Sequence, residues 1–155
     1  MKKLRGIVFL SLFFFCIAVI TTDVVARNPA GKTAKDLVKE AKAEIKQITP
    51  EELETKLDAG ESFIIIDVRE KDEYDAGHIK GAKLIPRGLL EFKITKEIPQ
   101  KDAYIIIYCK SGGRGALSTQ TLQTMGYTQV YNLKDGFMGW QEYLLGEPAE
   151  GGGCL

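Results

Sequence analysis

Ala103-Tyr104-Ile105-Ile106-Ile107-Tyr108-Cys109-Lys110-Ser111-Gly112-Gly113-Arg114-Gly115-Ala116 is the stretch on which the fold turns. Its first half is continuously apolar and rich in β-branched side chains, as in a strand covered on both faces. Its second half becomes small, polar and cationic, and helical spacing returns from Ala116 to Met125. A buried strand running through a glycine loop into a helix is the repeating unit of a parallel α/β sheet. Open sheets of this kind place their sites at the carboxyl ends of the strands.

Moving outward, Phe63-Ile64-Ile65-Ile66-Asp67-Val68 repeats the buried-strand pattern, and Ala82–Ile85 and Gln129–Leu133 read as shorter strands. Helix-like stretches at Lys71–Ala76, Leu89–Phe92 and Phe137–Tyr143 alternate with them. Thr49-Pro50-Glu51-Glu52 is a capping box with proline at the first helical position, and Gly60 stops that helix. Upstream, Thr33–Lys46 carries Ala34, Leu37, Val38, Ala41 and Ile45 at helical spacing opposite a Lys- and Glu-rich face. Its apolar stripe reads as a contact surface, with a homodimer as one outcome. The expectation is an α/β domain with a parallel sheet, helices on both faces and an N-terminal helical extension.

With 155 residues, 45% hydrophobic and 27% charged, the chain suits one globular domain and not a disordered or disulfide-dense protein. Lys+Arg and Asp+Glu both number 21, so no basic excess exists to hold a nucleic acid. Lys2, Lys3 and Arg5 precede an apolar run from Ile7 to Ile20. As a helix that run would span about 21 Å, short of a bilayer core of about 30 Å. With the small residues Val24-Val25-Ala26 at its end, residues 1–26 read as a secretory signal, which implies a periplasmic or secreted protein. The rival readings are an uncleaved anchor and lipid attachment at Cys16, the latter opposed by the bulk of Phe13-Phe14-Phe15. The remaining boundaries are residues 27–47 for the helical extension, 48–145 for the domain and 146–155 for a flexible Gly-rich tail.

Without the signal, only Cys109 and Cys154 remain, beside a single histidine, His78. These cannot build a zinc site, and no metal is expected. Cys154 follows Gly151-Gly152-Gly153 and is expected to be dispensable for turnover. When no donor is present, it could trap Cys109 or a second subunit as a disulfide.

The glycines after Cys109 leave backbone N–H groups uncovered, and successive N–H groups curling toward one point make an anion nest. The following helix adds its positive N-terminal end, so a thiol at Cys109 would be favoured as thiolate. Lys110 and Arg114 add formal charge at the rim. The structural alternative is an inert buried cysteine before a phosphate-binding turn.

Ile66-Asp67-Val68-Arg69, Glu73-Tyr74, Gly77-His78-Ile79-Lys80-Gly81-Ala82, Gly126-Tyr127 and Leu133 through Trp140 resemble the rhodanese family, in family order from about Ile48 to Leu145. The resemblance implies a five-stranded parallel sheet and a Cys109 that carries sulfane sulfur as a persulfide, with no other cofactor. It implies a sulfurtransferase taking sulfur from thiosulfate, polysulfide or a persulfide and passing it to cyanide, a thiol or a protein acceptor. Lys110, Ser111, Gly112, Gly113, Arg114 and Gly115 are the expected substrate-binding residues. Asp67, Arg69, Glu73 and His78 are supporting ones. Arg69 pairing with Glu73 would tie the strand end to the next helix. His78 is expected to hydrogen-bond backbone instead of activating Cys109 as in a Cys–His protease. Trp140 is expected to pack a helix onto the core.

Related phosphatases have a loop one residue longer between Cys and Arg than the four residues Lys110–Gly113 here. The shorter ring suits a sulfur atom better than a phosphate, which makes phosphatase or arsenate reductase activity the lesser reading. Family members specialised for thiosulfate carry further cations where this chain has Glu73 and Ser111. The rival from another class is a docking or sulfur-sensing module without turnover.

Overall fold

Ile64, Ile65 and Ile66 stand beside Ile105, Ile106 and Ile107 in parallel register, and this double isoleucine ladder is the centre of the structure. A computed structural model describes residues 31–146. The expectations for residues 1–26, Cys16 and Cys154 lie outside the described residues.

Five parallel strands form one sheet: β1 (Lys46–Ile48), β2 (Ile64–Asp67), β3 (Lys83–Leu84), β4 (Ile105–Tyr108) and β5 (Val130–Leu133). Their spatial order is β1-β5-β4-β2-β3, which puts β4 in the middle. The helices are α1 (Ala34–Glu44), α2 (Pro50–Asp58), α3 (Lys71–Asp75), α4 (Leu90–Glu97), α5 (Gly113–Thr124) and α6 (Gly136–Leu144). A 3-10 turn, Arg87–Leu89, leads from β3 into α4.

Alternation along the strands builds two cores. Ile66, Ile105, Ile107 and Val130 face Leu90 and Ile94 of α4 and Leu122 of α5. Ile65, Ile106, Tyr108 and Leu133 face Leu53 of α2 and Trp140 of α6. Each fully buried isoleucine contributes about 1.5–3 kcal/mol. The capping boxes of α1 and α2 both form: Thr33 with Asp36, and Thr49 with Glu52.

Three expectations change. The C-terminal part of the α1 stripe packs on its own domain, where Ala41 and Ile45 meet Ala116 and Leu117 of α5. Ala34 and Leu37, earlier in the stripe, stay exposed. Lys46 belongs to β1 and not to the preceding helix, so the sheet reaches into the segment assigned to the extension. β1 pairs only with β5 and buries only Ile48, too little apolar pattern to show in sequence. Finally, α5 starts at Gly113, ahead of Ala116, because Gly112 adopts the left-handed conformation (φ 83°) that caps it.

Candidate active site

Cys109 follows directly on β4 and is buried, in the same apolar cluster as Val68 and Ile85. The loop beyond it is held from one side by the start of α6. Phe137 N–H donates to the Cys109 carbonyl at 2.7 Å, and Met138 N–H donates to the Lys110 carbonyl at 3.0 Å. In a trans peptide the N–H points opposite to the carbonyl, so the N–H groups of Lys110 and Ser111 face away from α6. The loop amides are thereby aligned by a helix that sits 27 residues further along the chain.

Asp135 (φ 58°) and Gly136 (φ 60°) make this possible, since two successive left-handed residues turn the chain so that α6 aims at the loop. A Cβ on Gly136 would run into the Cys109 carbonyl and stand 2.8 Å from the Gly112 nitrogen. Only glycine satisfies both demands. Sequence reading passed over a site role for this residue, although an Asp-Gly pair after a strand is a turn signal.

The supporting residues are paired differently from the expectation. Arg69 bonds Asp67, not Glu73: Nε and Nη2 donate to the Asp67 carboxylate at 2.7–3.0 Å, and Nη2 also donates to the Gly77 carbonyl at 2.7 Å. The two residues are close in sequence and both buried, so the nearest carboxylate captures the guanidinium. The Arg69 guanidinium lies 4.3 Å from the Phe137 ring centroid, which links the buried pair to the helix that holds the loop.

Glu73 pairs with the loop instead. Arg114 donates from both terminal nitrogens to the two Glu73 carboxylate oxygens, each at 2.8 Å. That hydrogen-bonded guanidinium holds the Glu73 carboxyl down to about 2. Of the two loop cations, Arg114 is thus neutralised, while exposed Lys110 makes no ion pair among the described residues. Ser111 is half-buried in the loop. Gly113 begins α5 in ordinary contact distance of Val38 on α1. Gly115 lies buried in the first turn of α5, where a Cβ would run into the Asn132 side chain, so close helix–strand packing already requires a glycine there.

His78 is exposed, stacked on Tyr74 with centroids 3.8 Å apart. Its Nδ1 lies 3.0 Å from the Tyr74 carbonyl, which can only accept, so Nδ1 carries the proton. Trp140 packs in the core as expected. A cavity lined by Gln47, Thr55, Lys56, Tyr104 and Tyr131 lies against α2, beside the residue that enters β4, and Cys109 does not line it. Among the described residues no cluster of His, Cys, Asp or Glu could hold a metal, and no helix is long and apolar enough to cross a membrane.

A parallel five-stranded sheet with a buried cysteine leading a glycine loop at the tip of its central strand defines an α/β thiol-loop domain. The chain belongs to the rhodanese-like domain family, whose model matches residues 49–143. A sulfurtransferase of Allochromatium vinosum is 33% identical over 101 residues, covering 65% of this chain and 92% of that one. The probable adenylyltransferase/sulfurtransferase MoeZ of Mycobacterium tuberculosis is 35% identical over 126 residues, or 81% of this chain. The chain spans only 31% of MoeZ. A solved structure from Rhodopseudomonas palustris, described as a protein of unknown function and possible tyrosine phosphatase, superposes with a TM-score of 0.68 at 31% identity. It covers 78% of this chain and 96% of that one.

Proposed function

We propose that the protein is a sulfurtransferase that carries sulfane sulfur as a persulfide on Cys109. The carrying observation is the loop after Cys109, whose carbonyls are fixed by α6 while its amides turn the other way. In the first half-reaction the Cys109 thiolate attacks the sulfane sulfur of thiosulfate, polysulfide or a persulfide. A new S–S bond forms, the donor's bond to that sulfur breaks, and sulfite or a thiolate leaves with the bonding pair. In the second half-reaction cyanide or a thiolate attacks the outer sulfur and takes it, and Cys109 departs as thiolate. Two half-reactions through one covalent intermediate give ping-pong kinetics. The loop amides supply fixed dipoles for the anionic sulfur, so the scheme uses no further cofactor. The burial of Cys109 favours a small donor or a slender persulfide chain.

The phosphatase description of the Rhodopseudomonas protein motivates a second reading. Here Arg114 is engaged on both nitrogens by Glu73, which leaves it poorly disposed to clamp a phosphoryl group, and that favours sulfur. Export as a periplasmic or secreted protein follows from the reading of residues 1–26. A protein acceptor fits the same chemistry, since a protein thiol is as competent a nucleophile as a small one.

The test is intact-mass spectrometry after incubation with thiosulfate or polysulfide, followed by thiocyanate release with cyanide. The wild type should gain one sulfur atom and return it, and Cys109→Ser should do neither. Sulfur transfer by Cys109→Ser, or hydrolysis of phosphate esters by the wild type in place of sulfur transfer, would overturn the assignment.

A further inference from the structure

Arg114 and Arg69 are both committed to carboxylates, and Lys110 is an exposed, screened charge, which leaves Arg87 as the arginine of interest near the loop. Its backbone N–H donates to the Val68 carbonyl at 3.1 Å, and Val68 N–H in turn donates to the Tyr108 carbonyl at 2.9 Å. Arg87 therefore stands on the carboxyl edge of the sheet that carries Cys109, two strand spacings or about 10 Å away. The side chain is half-buried, and its Nε is shielded from solvent without any hydrogen-bond partner. Among the described residues it forms no ion pair. A buried, unsatisfied donor costs about 1–3 kcal/mol, a cost that a partner arriving with the substrate would relieve. Space exists beside it: a Cβ on the next residue, Gly88, would meet nothing within 4 Å.

We propose that Arg87 sets the donor class, binding the oxyanion end of a small sulfonate-type sulfur donor while its sulfane sulfur faces Cys109. The inference rests on the sulfurtransferase reading above. A planar guanidinium with several N–H donors matches a sulfonate as it matches a carboxylate or phosphate. Arg87 is a specificity residue in this scheme, touching the leaving sulfite and not the transferred atom.

The experiment compares wild type, Arg87→Gln and Arg87→Lys with two donors: thiosulfate, and dimethyl trisulfide, whose sulfane sulfur carries no oxyanion. Arg87→Gln should lower the thiosulfate-to-trisulfide ratio of kcat/KM by about tenfold to a hundredfold, the loss expected for hydrogen bonds to a charged group. The loss should appear in KM, and Arg87→Lys should recover part of it. An unchanged ratio, or an equal fall with both donors, overturns the proposal. An NMR titration of Cys109→Ser with sulfate separates this from failure of the wider reading, because it needs no turnover. Sulfate should shift the amides of residues 87–88 and 110–112, weakly or not at all once Arg87→Gln is added. Equal binding with and without Arg87 overturns the inference even if Cys109 proves to carry sulfur.

Discussion

Arg114 lends both terminal nitrogens to Glu73, and the carboxyl of Glu73 is held down to about 2 from its ordinary 4.5. A folded-state value below the unfolded one means stabilisation that is complete above about pH 4.5 and lost as pH falls toward 2. The Glu73 side chain is 25% exposed and that of Arg114 36%, so solvent screening reduces the effect to about 1–2 kcal/mol. In urea unfolding, Glu73→Gln should be less stable than wild type by that amount at pH 6, and the gap should narrow steadily as pH is lowered through 4.5 toward 2. A gap that does not narrow would show that the pair is not its source. Asp67 presents the opposite setting, fully buried against a buried Arg69. Asp67→Ala strands that guanidinium and should cost about 3–5 kcal/mol in the same assay. An exposed pair would lose less than 1 kcal/mol, roughly the ordinary surface value.

At the scale of elements, α6 acts through its first turn. Gly136→Ala places a Cβ against the Cys109 carbonyl and forces a side chain into a left-handed backbone. The strain alone is about 1–2 kcal/mol, and the clash must also displace the loop. Persulfide formation should therefore fall by about tenfold or more while the far-UV circular dichroism keeps its native shape. A variant with native rates would show that α6 does not align the loop. The long periodic segments of this architecture were readable in advance: two isoleucine strands, the Thr49–Glu52 capping box and the strand–loop–helix around Cys109, whereas the Thr33–Asp36 box was not. What escaped were contacts that periodicity does not encode. β1 is three residues long with only Ile48 buried, and α5 begins on glycine, the residue least suited to a helix interior apart from proline. Glu73 and Arg114 are 41 residues apart, so nothing local linked them, whereas Arg69 had several nearby carboxylates among which spacing could not choose. Arg87 gave no signal, because an unpaired donor becomes conspicuous only when its surroundings are known.

Over the described residues, α1 and β1 belong to the same packed body as the Cys109 loop. α1 covers α5, Val38 reaches Gly113, and β1 completes the sheet beside β5. One cooperative transition should follow, with Trp140 fluorescence and far-UV circular dichroism giving the same urea midpoint. An earlier loss of helical signal would identify α1 as a separately melting extension. The pairing of β1 with β5 also has a consequence for biosynthesis. Of the described strands, the first to be made finds its neighbour in the last, and the Cys109 loop waits for α6, later still. A growing chain, synthesised at roughly 5–20 residues per second, exposes its thiol for a second or more before the helix that aligns the loop exists. Any early thiol–disulfide exchange at that sulfur happens to a nascent chain, so the native setting of Cys109 is among the last features that translation delivers.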